Sequence, residues 1–157
     1  MFGPDVGRFG FEFLVFARDE LLVRVEIPAG GSFEAGYRWR NAGVAPCLPG
    51  GFPALTLKDA KGGIAGVFVD EDFDVRALPV GPPNEAVPAG RDARTINQAF
   101  KPLKTFALPP ANILKPGRYE LFVSVGSRQG TPVIELPLPG GDGGRRYLLG
   151  ALTVTAK

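Results

Sequence analysis

Polar and apolar residues alternate with a period of two along much of the chain, the signature of strands with one buried face. In GRFGFEFLVF, Phe9, Phe11, Phe13 and Val15 fall on one side. In ELLVRVEIPAG, Leu21, Val23, Val25 and Ile27 face one way and Arg24 and Glu26 the other, until Pro28 ends the run. In SFEAGYRWRN, Phe33, Ala35, Tyr37 and Trp39 alternate with Glu34, Arg38 and Arg40. In GRYELFVSVG, Tyr119, Leu121, Val123 and Val125 alternate with Arg118, Glu120 and Ser124. These segments predict antiparallel strands with polar residues on the solvent side.

Turn chemistry separates the runs. DAKGG at 59–63 lies between PALTLKD and GIAGVFVD, as in a glycine-containing hairpin. The proline-rich stretch 108–117 ends in Pro116-Gly117, a tight turn into a strand at Arg118. PGGDGG at 139–144 leads into the last strand or strand pair, RRYLLGALTVTA. Residues 81–99 break the pattern with three prolines, mixed charges and little alternation. They predict one long central loop, functional or mobile, with a helical turn around RDARTINQAF. The expected fold is all-β: an antiparallel immunoglobulin-like or jelly-roll β-sandwich of about eight strands, as a single domain over 1–157.

Composition supports this picture and removes whole chemistries from it. Twenty-two glycines and sixteen prolines among 157 residues disfavour long helices. The 45% hydrophobic content is enough for a core, yet no apolar run reaches the length of a membrane helix. Without histidine there is no Ser–His–Asp or Cys–His nucleophile system and no imidazole metal ligand. The serines, Ser32, Ser124 and Ser127, sit in no nucleophile elbow. One cysteine, Cys47, allows no internal disulfide, and its apolar surroundings read as a buried, inert thiol. The net charge of +2 is spread along the chain, which argues against nucleic acid as a partner. The opening MFGPDVGRFG lacks the regions of a signal peptide.

The candidate chemistry is sparse. Asp70, Asp72 and Asp74 in VDEDFDV would share one face of a strand and could supply three oxygen ligands to calcium. They do not form an EF-hand, because Val75 and Gly81 stand where that loop needs its glycine and its glutamate. The alternative is a solvated strand end protected by charge. PGGDGGRR lacks the order of a phosphate loop and reads as a hairpin, with Arg145 and Arg146 as possible anion ligands. Phe52, Phe73, Phe100 and Tyr147 lie near loops, where exposed aromatics could stack on sugar rings. Trp39 reads as core rather than sugar platform, and Asn41 as a backbone-bonding turn residue rather than a ligand contact.

Three segments carry a resemblance: YRWRNAGVAPC at 37–47, LPPANILKPGRYELFVSVG at 108–126 and GTPVIELPLPGGDGGRRYLLGALTV at 130–154. Together they resemble a bacterial domain of unknown function that forms the C-terminal β-sandwich of glycoside-hydrolase-like proteins, after a (β/α)8 barrel. The resemblance implies the C-terminal fragment of a larger, secreted or periplasmic protein, whose signal would lie with the N-terminal part. It also implies a non-catalytic accessory module packing on or shaping the neighbouring barrel domain, with no catalytic residues to carry over. The long segment from Asp70 to Phe100 departs from the family pattern. A carbohydrate-binding module and an independent carboxylate-dependent hydrolase are the alternatives.

Overall fold

The computed structural model describes residues 9–14, 16–17, 20–21, 24–41, 49–77 and 98–156, with side chains at 26–35, 49–77 and 104–156. In chain order the strands are β1 (Phe9–Leu14), β2 (Phe16–Ala17), β3 (Glu20–Leu21), β4 (Arg24–Pro28), β5 (Ser32–Asn41) and β6 (Phe52–Lys58). They continue with β7 (Ile64–Val69), β8 (Gln98–Ala107), β9 (Gly117–Gly126), β10 (Pro132–Ile134) and β11 (Tyr147–Thr155). Eight of these run five residues or more. A single 3₁₀ turn, Val75–Ala77, is the helical part among the described residues.

The strands form two sheets and a short ribbon. One sheet has the order β1-β5-β8; the other runs β4-β11-β9-β6-β7, with β10 beside β9, and β2 pairs β3. The sheets face each other across one core. Phe33 and Ala35 of β5 and Phe106 of β8 meet Leu55, Leu57, Leu121, Val123, Val125, Leu152 and Val154 of the larger sheet. Phe33, Phe68 and Phe106 bridge the two, with ring centroids 5.5 to 5.9 Å apart and Phe68 edge-on to Phe33. Offset and edge-on packing of this kind adds roughly 0.5–1.5 kcal/mol per pair beyond area burial.

Strand order and one side chain give the sandwich its immunoglobulin-like character. β6, β9 and β11 sit side by side as the C, F and G strands do in that fold, with β7 added outside β6. Tyr119, near the start of β9, donates its hydroxyl hydrogen bond to the carbonyl of Lys115 at 2.7 Å. This is the tyrosine corner that pins the crossing between sheets in Greek-key sandwiches. Leu114, 1% exposed, plugs the same connection, and the N–H of Leu108 donates to Gly31 O at 2.8 Å.

Several expectations are corrected. Pairing is not antiparallel throughout: β4 runs parallel to β11, with Arg24–Pro28 beside Ala151–Thr155. Of the run from Leu21 to Ile27, Leu21 belongs to β3, which pairs β2, and Arg24 to Ile27 to β4, which pairs β11; residues 22 and 23 lie outside the described residues. Gln98 and Ala99, expected at the end of the central loop, belong to β8, opposite Arg40 and Trp39. The same strand occupies the end of the predicted helical turn; residues 78–97 lie outside the described residues. The outer face of the larger sheet is not solvated at its centre. Leu55 and Leu57 point inward, so Ala54 and Thr56 point outward, yet both are buried, as are Phe122 and Ser124 of β9.

Candidate functional site

β7 ends at Val69 because Asp70 prefers its own backbone. The N–H of Asp70 makes the last rung to Pro53 O at 2.9 Å, and its Oδ1 accepts the N–H of Asp72 at 3.1 Å. That side chain–backbone bond mimics a turn and competes with strand continuation. The three aspartates therefore do not line a strand face, which corrects the expected ligand row. Asp70 is fully buried, Asp72 is exposed, and Asp74 lies beyond the turn beside the 3₁₀ segment.

Each carboxylate has a cation or backbone amides at hand. Lys104, from β8 of the opposite sheet, places Nζ on Asp72 Oδ2 and 3.9 Å from Asp70 Oδ1. The hydrogen bond to Asp72 pushes the Lys104 ammonium above its ordinary range against a burial penalty, helped by the charges of Asp72, Asp70 and Glu71. Glu71 pairs with Arg128 at 3.2 Å, and Arg128 lies 4.4 Å over the Phe52 ring. Asp74 Oδ1 accepts the N–H groups of Gly51 and Arg76 at 3.1 and 3.0 Å. Its Oδ2 accepts both Nε (3.0 Å) and Nη2 (2.7 Å) of Arg76. Burial pushes the Asp74 carboxyl up, but these bonds outweigh it and hold the group at about 2. Arg76 reaches this position over Gly50, whose φ of 62° and missing side chain leave the space its stem fills.

This arrangement braces a turn. Calcium needs six to eight oxygens converging on one point. Here Asp70 and Asp72 converge on an ammonium and Asp74 turns to Gly51 and Arg76. Among the described residues no group of three or more Asp, Glu, Cys or His could hold a metal ion.

The glycine-rich stretch 139–146 is a hairpin loop closed by Asp142. Asp142 Oδ1 accepts the N–H groups of Gly144 and Arg146 at 2.7 and 3.1 Å, so two donors that a phosphate would need are already used. Gly140 and Gly143 take the positive φ values the turn requires, and so does Arg145 at 62°. Asp142 Oδ2 pairs with Lys58 at 2.5 Å, with both side chains only 14% exposed. Burial raises the Asp142 carboxyl, but the Lys58 bond and the two amides hold it below the usual carboxylate range. Arg146, one of the two expected anion ligands, lies over the outer sheet face instead. Its Nε donates to Thr56 Oγ1 at 3.2 Å and its Nη2 to Gly130 O at 3.4 Å.

The aromatic candidates fare differently. Tyr147 is buried, and its hydroxyl accepts the Leu136 N–H at 3.0 Å, so it belongs to the core and not to a sugar platform. Phe73 packs half-buried against the core, and Phe52 lies under Arg128. The side chains of Trp39, Asn41 and Phe100 and the whole of Cys47 lie outside the described residues. The backbone of Asn41 is the last described position of β5, opposite Phe9, and the turn expected after it lies outside the described residues. Sequence reasoning did not single out Lys104 or Arg128. The signal for Lys104 was weak, a cation in a strand whose alternation Pro102 and Lys101 obscure.

No protein-family model matches this chain, and no curated protein matches it. Among solved structures it is similar to the CARDB domain of a Pyrococcus furiosus protein, a structure containing di-metal ions. The similarity covers 96% of this chain and 93% of that one at 13% identity, with a TM-score of 0.39. The assignment as a β-sandwich domain therefore rests on the strand order, the shared core and the tyrosine corner.

Proposed function

We propose that this domain is a non-catalytic β-sandwich module of a larger extracytoplasmic protein, packing on or shaping a glycoside-hydrolase-like barrel. The reading is carried by the acidic turn at 70–74. The densest carboxylate cluster in the sequence is held by Lys104, Arg128, Arg76 and backbone amides. Those carboxylates position the chain, whereas a hydrolase would keep a carboxylate pair open to substrate across a cleft. The burial of Tyr147 and the cover over Phe52 weigh against sugar stacking at these positions.

The test is affinity electrophoresis through polysaccharide gels and titration of soluble oligosaccharides into this chain, together with chromogenic glycosides. No retardation, no heat and no turnover are expected. Retardation would replace this reading with a carbohydrate-binding module, and turnover would replace it with a hydrolase. The reading also requires a barrel encoded upstream in the same reading frame; fusion to this domain is expected to raise that barrel's melting temperature, and the absence of a barrel or an unchanged value counts against docking.

A further inference from the structure

The two sheets meet through aromatic rings in one layer and through an amine and an acid in the next. Phe68 of β7 and Phe106 of β8 have ring centroids 5.9 Å apart. Side chains two residues apart on a strand return to the same face. Two residues beyond Phe68 stands Asp70, and two before Phe106 stands Lys104. The Asp70 side chain is 1% exposed, and Lys104 Nζ, from the opposite sheet, lies 3.9 Å from its Oδ1. A third group completes the set. The Asp72 carboxylate accepts a hydrogen bond from the same Nζ, and the Asp72 N–H donates to Asp70 Oδ1 at 3.1 Å.

We propose that Lys104 and Asp70 condense into an intramolecular isopeptide bond that ties the two sheets together covalently. Lys104 Nζ gives a proton to Asp72 and attacks Asp70 Cγ. Charge then gathers on Asp70 Oδ1, at which the Asp72 N–H already points. Asp70 Oδ2 takes the proton back from Asp72 and a second one from the nitrogen, and leaves as water. One ammonium and one carboxylate become one amide and one water, with no outside reactant. The fold replaces concentration, an advantage that reaches about 10⁵ M or more for well-oriented groups. The amide also removes a charge from a fully buried position, where desolvation works against it. The hydrogen bond to Asp72 holds the ammonium protonated, so proton removal is the slow step. The inference is independent of the accessory-module reading.

Intact-mass spectrometry of the denatured 157-residue chain tests it. The chain is expected to be lighter than its sequence mass by one water. A tryptic digest should contain a branched peptide joining residues 62–76, which include Asp70, to a segment left uncleaved after Lys104. Lys104→Arg keeps the cation, removes the nucleophile and should restore the full mass. Asp72→Asn, at a side chain 67% exposed, removes the proton carrier and should slow bond formation roughly a hundredfold, leaving full-mass chain in fresh preparations. Full mass in the unaltered chain after prolonged incubation overturns the proposal. So does a water loss that persists in Lys104→Arg or maps to a succinimide at Asp142-Gly143. An undiminished rate in Asp72→Asn overturns the role given to that carboxylate.

Discussion

Replacing Asp74 by asparagine tests whether the 70–77 turn is held by charge or only by shape. The aspartate accepts four hydrogen bonds, two from backbone N–H groups and two from the Arg76 guanidinium. They bring its pKa from 3.8 down to about 2. A carboxyl depressed on folding stabilises the native state fully above its unfolded pKa and loses that contribution as pH falls through the folded one. At about 1.4 kcal/mol per pKa unit the shift corresponds to roughly 2.5 kcal/mol. Arg76 is 62% exposed, and screening of that partner reduces the figure to about 1–2 kcal/mol. Asparagine keeps an oxygen for the Gly51 and Arg76 amides but loses the charge. Urea unfolding of both proteins should show a gap of this size at pH 7, undiminished at pH 5. The gap should narrow below pH 4 and nearly close by pH 2. A gap that ignores pH would mean that the packing of Arg76 on Gly50, and not the ion pair, does the bracing.

Tyr119→Phe deletes the corner hydrogen bond to Lys115 and should cost about 1 kcal/mol in urea unfolding with an unchanged m-value. Gly126→Ala would place a Cβ 1.8 Å from Thr131 O, a backbone atom that cannot yield. That variant is expected to fold poorly or to lose more than about 3 kcal/mol. Gly62→Ala, at φ 79° with nothing within 4 Å, should cost only about 1 kcal/mol, measured by thermal melting. Asp142→Ala releases two loop amides and strands the half-buried Lys58, so a loss of about 2 kcal/mol is expected in the same assay. Asp142→Asn should lose less, and equal losses would refute the amide-closing role.

Alternation made the strands legible because a half-buried strand must repeat every two residues. It placed Phe33 and Ala35 of β5 and Tyr119, Leu121, Val123 and Val125 of β9 inward correctly. It failed where both faces are covered. Ser124 was read as a solvent-side residue, yet it is 1% exposed. Strand direction was equally invisible: nothing in the residues of β4 distinguishes a parallel neighbour from an antiparallel one. β8 escaped notice because Lys101, Pro102 and Lys104 interrupt its pattern, and Lys104 is the residue that reaches the acidic turn. The aspartate row failed for a local reason. Spacing by two implies a shared face only if the strand continues, and Asp70 ends it by capping the N–H of Asp72.

The covered outer face also bears on what this domain can bind. Lys58 lies 4.6 Å over the Phe122 ring, Asp142 fixes Lys58 from the hairpin loop, and Arg146 crosses to Thr56 and Gly130. Gly130 in turn sits so close to Val67 that a Cβ there would come within 2.3 Å of its methyl group. The turn at 127–131 and the loop at 139–146 thus lie over the centre of the larger sheet and occupy the flat surface on which a sugar chain would stack. A ligand on that face would have to displace a nearly buried ion pair and the Arg146 contacts. The centre of the larger sheet is thus closed by the chain itself, and among the described residues it leaves no flat outer surface there for a sugar chain to stack on.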